Sequence, residues 1–235
     1  MQGASQGTSA AVRSNQRGLH KGLVRAVRRH AGSVWRKPAR PADEAALARL
    51  DQALAAHRGK LILDSFCGTG MSCAILARRH PDALVVGVDR SAHRLARSGP
   101  LPDNCLLLRA HCETLWRHLA ARSRRVCAHY LLYPNPWPKA AQLYRRIHGH
   151  AAFPLLLELG GRLELRSNWP IYVEEFGVAL HLLGQAACIA KIADDEAALT
   201  RFETKYRASG HELWRLTATL GGAPARPPWP RAPRP

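Results

Sequence analysis

The chain has 235 residues, 46% of them hydrophobic, which is enough for one α/β domain with a sizeable core and tight for two. Lysine and arginine total 35 against 17 acids, a formal charge of +18 that suits a polyanionic partner such as nucleic acid. No apolar run is long enough to cross a membrane. The first residues lack the apolar centre of a secretory signal, so a cytoplasmic location is expected. The six cysteines form no C-x-x-C pair, which argues against a zinc site, and no metal is expected. Most of them are expected as small buried residues.

Residues 1–40 carry nine basic residues and no acid, the pattern of a flexible basic arm, with a helix expected around Leu23–His30. Pro38 and Pro41 close it. Asp43 is expected to cap a helix presenting Leu47, Leu50 and Leu54 on one face. From Lys60 onward short apolar runs at Leu61–Leu63, Leu84–Val88, Leu106–Leu108 and Tyr130–Tyr133 alternate with helical stretches at Thr69–Arg79, Ala92–Ser98 and Thr114–Arg122. That alternation predicts βαβ units around a parallel sheet. Gly160-Gly161 leads into a period-2 strand, Arg162–Arg166. A helix over Ile171–Leu182 follows, with strands over Ala186–Ile192 and His211–Thr219, making seven strands. The domain is therefore placed at residues 41–220, and residues 221–235 are expected to be a Pro-rich, disordered tail.

The first strand runs into Asp64-Ser65-Phe66-Cys67-Gly68-Thr69-Gly70 and then a helix, the strand–glycine turn–helix arrangement of nucleotide-binding folds. Gly68 and Gly70 let the backbone approach a ligand closely. Asp89, at the end of the second strand, is placed to accept from both hydroxyls of a ribose. This pattern fits NAD as well as S-adenosyl-L-methionine. Asp64, four residues before the glycine pair, tilts the choice toward a ligand carrying an ammonium group, since a pyrophosphate is repelled there. The third strand ends at Arg109-Ala110-His111-Cys112-Glu113, a loop where an adenine ring would be within reach of His111 or Glu113; a helix start with Glu113 near its dipole explains the same residues equally well.

The fourth strand ends in Tyr133-Pro134-Asn135-Pro136-Trp137-Pro138-Lys139. Three prolines stiffen a loop that offers an amide, an aromatic face and a cation, a kit for holding a nucleobase. Here the chain resembles the bacterial tRNA (guanine-N7)-methyltransferases. Their Pro-Asp-Pro-Trp-x-Lys loop is matched at Pro134, Pro136, Trp137 and Lys139, and their basic stretch at Arg145 and Arg146. Their Gly-Gly strand ending in Thr-Asp-Trp is similar to Gly160-Gly161 and Ser167-Asn168-Trp169. Thr-x-Phe-Glu matches Thr200–Glu203, and Gly-His-x-x-Trp matches Gly210–Trp214.

The resemblance implies a Rossmann-like class I methyltransferase fold with a seven-stranded sheet, S-adenosyl-L-methionine as donor, and tRNA as partner, methylated at a variable-loop guanosine. It implies a catalytic pair, Asn135 and Glu203. Cofactor binding would fall to Asp64, Gly68, Gly70, Asp89, His111 and Cys112, and substrate binding to Trp137, Lys139, Arg145, Arg146, Asn168 and Thr200. A monomer or homodimer is expected. Asn135 and Asn168 stand where the family has acids, Phe66 where it has a glycine, and His111 where it has an acid near the adenine. Two rival readings remain: a methyltransferase for exocyclic amines, from the Asn-Pro-aromatic loop, and a non-catalytic tRNA-binding relative.

Overall fold

The computed structural model describes residues 9–221. A seven-stranded sheet forms the centre, in the order β3-β2-β1-β4-β5-β7-β6. The strands are β1 (Lys60–Ser65), β2 (Ala83–Asp89), β3 (Cys105–Arg109), β4 (Ala128–Leu132), β5 (Gly161–Ser167), β6 (Ala187–Lys191) and β7 (Trp214–Leu220). The first five run parallel; β7 is antiparallel to β5 and to β6. All seven lie within a few residues of the runs read from periodicity.

The helices are α1 (Leu23–Ala31), α2 (Pro41–Ala56), α3 (Met71–Arg79), α4 (Ala92–Leu95), α5 (Cys112–Ala121), α6 (Pro154–Leu159), α7 (Pro170–Leu182) and α8 (Arg201–Ala208). Two short 3-10 turns, Ala140–Arg145 and Ile147–Gly149, follow β4. Three details differ from expectation. The helix expected over Ala92–Ser98 is one turn, capped by the Ser91 hydroxyl, which accepts from the Arg94 N–H at 3.3 Å. Arg40, not Asp43, stands at the N-cap of α2, where Pro41 fixes the first helical turn. Asp43 lies inside that turn and faces inward, 3% exposed.

The sheet's two faces have different neighbours. Leu61 and Leu63 of β1 join the main core, built with α1, α2, α5, α6 and α7. Ile62 faces the other way, into a smaller cluster with Cys73, Leu76 and Ala77 of α3. Strand alternation puts Asp64 on Ile62's side, beneath α3. Chain order reverses between β1 and β4, where β1 pairs with both β2 and β4. Open α/β sheets bind ligands outside the carboxyl ends of strands at such a point.

The basic segment is not a free arm over its described part. Leu23, Ala26 and Val27, spaced on one face of α1, are buried in the main core. Residues 9–22 cross the sheet's carboxyl edge. There Ser14 Oγ donates to the Pro138 carbonyl (2.6 Å) and Asn15 Oδ1 accepts from the Ala140 N–H (3.2 Å). Gln16 is held between Arg146 and Glu175. Residues 1–8 and all of the Pro-rich tail after Gly221 lie outside the described residues.

Candidate active site

A cleft of about 1080 Å³ opens along the carboxyl ends of β1 to β4. On its β1 side the chain turns through Phe66 and Gly68 at φ +66° and +61°, then Gly70 at φ +75°. The left-handed φ favours glycine at position 70, and a Cβ there would also come within 2.7 Å of a Leu107 methyl. At Gly68 a Cβ would meet nothing within 4 Å, so the turn faces open space. Phe66 carries a side chain through the same left-handed region, strain of a kind that collects at binding sites. Its ring lines the cleft and meets Trp116 edge-on at 6.1 Å.

Asp89 lies at the rim of β2, 3% exposed. One oxygen accepts from the Gly68 N–H (3.0 Å) and the other from the Ser91 N–H (2.8 Å), with Arg94 3.5 Å away. A carboxylate has about four acceptor positions, so two remain for a ligand. At the rim of β3 the His111 ring Nδ1 lies 3.1 and 3.2 Å from the two oxygens of Asp43, which also accepts from the His111 N–H. Burial alone raises the Asp43 carboxyl, but the hydrogen bonds from His111 hold it below its ordinary range, and it is ionised at neutral pH. Cys112 donates weakly to the Val88 carbonyl, and burial pushes its thiol well up, so it remains a neutral packing group.

The opposite wall follows β4. Tyr133 and Trp137 also hold positive φ, +52° and +46°. Asn135 Oδ1 accepts from the Trp137 N–H at 3.3 Å, closing the proline loop. The Arg145 guanidinium lies 4.8 Å from the centre of the Trp137 ring. Across from it α8 presents Phe202 and Tyr206, one helical turn apart. Tyr206 stacks on His211 (5.3 Å, 12°) and leans on Tyr133 (5.5 Å). The Tyr133 hydroxyl is buried without a protein partner, and burial raises its pKa, so it stays a neutral donor.

Six of the expected site residues therefore line one cleft: Asp89, His111, Cys112, Asn135, Trp137 and Arg145. Gly68 and Gly70 shape its turn. The others are elsewhere. Asp64 is fully buried under α3, where it accepts from Ser72 and from the Cys73 thiol, and burial raises its pKa to about 6. It has no face on the cleft with which to meet an ammonium group. Glu203 is fully buried and accepts from Arg166 (2.8 Å), Arg207 (3.1 Å) and the Leu199 N–H (3.2 Å). Both its oxygens are engaged within the protein, and it is not among the residues that line the cleft. Thr200 is the N-cap of α8, accepting from the Glu203 N–H at 3.0 Å.

Arg146 is buried against Glu175 and donates to the Trp137 and Lys139 carbonyls (3.2 and 3.4 Å), so it braces the loop instead of contacting a substrate. Lys139 is exposed beyond the cleft, and Asn168 pairs with His211 at 3.0 Å. Sequence reasoning missed Asp43, Tyr144, Phe202 and Tyr206 as parts of this region. A signal for the last two existed: an aromatic pair at four-residue spacing. None existed for Asp43, whose partner is 68 residues away.

A family described as "Putative methyltransferase" matches residues 58–216. The tRNA (guanine-N(7)-)-methyltransferase of Anaeromyxobacter dehalogenans is 32% identical over 171 residues, covering 67% of this chain and 84% of that one. Among solved structures, the 16S rRNA methyltransferase KamB superposes with a TM-score of 0.57 at 20% identity, over 74% of this chain and 94% of that one. A variant of the 16S rRNA (adenine(1408)-N(1))-methyltransferase of Catenulisporales acidiphilia, solved with its cosubstrate SAM, gives a TM-score of 0.53 at 20% identity, over 78% and 93%. The last two likenesses concern the fold.

Proposed function

The chain belongs to the tRNA (guanine-N7)-methyltransferase family, and we propose that it transfers the methyl group of S-adenosylmethionine to guanine N7 of tRNA. The observation that carries this reading is the single cleft that joins the Asp89 rim to the loop at Asn135-Pro136-Trp137. When bound, the donor would supply a methyl on a positively charged sulfur: the N7 lone pair would form the new C–N bond as the C–S bond breaks, its electron pair would return to sulfur, and a neutral thioether would leave with no proton having to be removed first.

The residues present fit that donor. Asp89 has acceptor positions free for two ribose hydroxyls, and the Gly68 turn leaves open space where a side chain would intrude. The rim order β3-β2-β1-β4 then runs from His111, through Asp89 and the glycine turn, to the acceptor loop. On the acceptor side Trp137 and the Phe202–Tyr206 wall offer stacking surfaces, Asn135 an amide for a base edge, and Arg145 charge for a phosphate. Among the described residues no carboxylate lines that wall, and Glu203 is engaged within the protein. Catalysis is then a matter of proximity and orientation. The +18 charge favours a polyanion, and the cytoplasm, where tRNA is handled, is the proposed place of action. Among the described residues no helix is long and apolar enough to cross a membrane.

The test is labelled methyl transfer to unmodified tRNA, with mass spectrometry of the nucleosides. N7-methylguanosine is the expected product. A methyl on an exocyclic amine would move the protein to the amino-group reading. Absence of transfer with intact tRNA binding would mark a non-catalytic relative.

A further inference from the structure

We propose that Cys73 and Cys105 are a peroxide-reactive thiol pair that closes to a reversible disulfide beside the glycine turn, with Asp64 taking the proton of the second step.

The two thiols come from different elements, α3 and the first residue of β3, and the fold brings them together. β2 carries a glycine where it meets α3: a Cβ at Gly87 would collide with the Cys73 sulfur and stand 3.0 Å from the sulfur of Cys67. Cys105, paired with Val85 at the start of the β2–β3 register, packs against the same small cluster. Cys73 sits in the middle, with thiol hydrogen bonds to both Cys67 and Cys105. It also donates to Asp64 Oδ2 at 3.1 Å. The other Asp64 oxygen is buried without a partner, and methyl transfer gives this acid no task.

The three thiols are not equivalent. Cys67 and Cys73 are buried, whereas Cys105 is half-buried at the edge of the cluster. The hydrogen bond from Cys73 holds the Cys105 thiol below its ordinary value against the burial that raises it, and burial pushes the Cys73 thiol well up. Cys105 is thus the accessible thiolate and Cys73 the neutral partner. With a hydroperoxide as oxidant, the Cys105 sulfur attacks one peroxide oxygen, an S–O bond forms, the O–O bond breaks and hydroxide leaves. The Cys73 sulfur then attacks the sulfenic sulfur. The S–S bond forms as the S–O bond breaks, a second hydroxide leaves, and the Cys73 proton passes to Asp64, which with a pKa of about 6 is ionised at neutral pH. Two electrons have moved from the sulfurs to the peroxide, and an external dithiol returns them.

Packing couples this chemistry to the turn. Leu107, two residues past Cys105 on the same face, fills the space that a Cβ would need at Gly70 (2.7 Å) and at Gly87 (2.6 Å). The thiols, Leu107 and the glycine turn form one packed stack. Drawing two sulfurs together to a bond of about 2 Å presses on that stack.

The test is hydrogen peroxide on the full chain at neutral pH, followed by differential alkylation and mass spectrometry of the peptides. A Cys73–Cys105 bridge, opened again by dithiothreitol, is expected in the parent and in a Cys127→Ser, Cys188→Ser variant that lacks the exposed thiols. Cys73→Ala should leave Cys105 as a sulfenic acid that dimedone traps. Asp64→Asn should close the bridge at least about tenfold more slowly without slowing loss of the Cys105 thiol. A Cys67–Cys73 bridge instead, or Cys105 passing to sulfinic acid with no bridge, would overturn the pair; an unchanged closing rate in Asp64→Asn would overturn the role of the acid. Calorimetry with S-adenosylhomocysteine reads the coupling, which rests on the cofactor reading above. The bridged protein should bind at least about tenfold more weakly and recover with dithiothreitol. Equal affinity would overturn the coupling. A reduced parent that binds no S-adenosylhomocysteine refutes the cofactor reading, and the mapped bridge still decides the pair.

Discussion

Replacing Glu203 separates a structural role from a catalytic one. Its carboxylate is fully buried and accepts from Arg166, from Arg207 and from the Leu199 N–H. Removing one partner of a buried ion pair typically costs about 3–5 kcal/mol, because the remaining charge is stranded. Arg166 is not fully stranded here, since Glu164 (2.6 Å) and Glu196 still engage it. That brings the electrostatic part down to about 2 kcal/mol, and the orphaned Leu199 N–H adds about 1 kcal/mol. Glu203→Ala should therefore lose about 3 kcal/mol, read as a lower midpoint in urea with an unchanged slope. Glu203→Gln keeps an acceptor for Leu199 and should lose about half as much. Methyl transfer by folded Glu203→Gln should stay within a few-fold of the parent. The reasoning is refuted if Glu203→Ala unfolds at the parent's midpoint while transfer falls a hundredfold, because the carboxylate would then be reaching the nucleobase.

Asp64 is the buried acid with the opposite sign. Burial raises its pKa from 3.8 to about 6, so its contribution to stability is present below pH 3.8 and lost as pH rises through 6, about 3 kcal/mol in all. Asp64→Asn should be at least as stable as the parent at pH 8; a variant clearly less stable there would count against this. Burial alone would raise Glu175 too, but His148 and Arg146 bring it from 4.5 down to about 2. Its stabilisation, again about 3 kcal/mol, is present above pH 4.5 and lost as pH falls toward 2, so Glu175→Gln should flatten the acid limb of the stability curve. An acid limb identical to the parent's would refute the coupling. At Phe66 the φ of +66° predicts that Phe66→Gly is less destabilising than Phe66→Ala by about 1 kcal/mol in thermal unfolding, since both lose the ring but only glycine relieves the backbone. The reverse order would show that the turn carries no strain.

The sheet was readable because its signal is local. Runs such as Leu84–Val88 and Arg162–Arg166 announce strands without knowledge of their neighbours, and Gly68 and Gly70 mark the turn that the ligand edge requires. What a side chain faces is less local. Asp64 could have been placed by parity: it lies two residues from Ile62 and shares its face, away from the main core. Thr200 and Glu203 spell the Ser/Thr-x-x-Glu pattern of a helix start, and the Thr200 hydroxyl does cap α8. The bond that holds Glu203 inward comes from Arg166, 37 residues away on β5, and no window of sequence contains it. The basic segment misled for a related reason. Its charge dominated, while the three small or apolar residues that bury α1 are sparse among arginines.

The departures of the acceptor loop make physical sense together. N7 attack needs no base, so an amide at Asn135 removes nothing the chemistry must have. What the reaction does need is a base held in line with the methyl group, and misplacement by about 1 Å can cost a hundredfold. The loop is correspondingly over-determined. Tyr133 and Trp137 hold left-handed backbone that only a surrounding frame can maintain. Arg146 supplies part of that frame, gripping the Trp137 and Lys139 carbonyls while Glu175 neutralises it. Residues 14–16 supply the rest through Pro138, Ala140 and the Arg146–Glu175 pair. An arginine placed for RNA contact would be exposed and free to pair with phosphate, as Arg145 is on the rim; Arg146, next to it, is fully buried. Adjacent arginines thus divide the work: Arg145 lines the cleft, and Arg146 fixes the loop behind it.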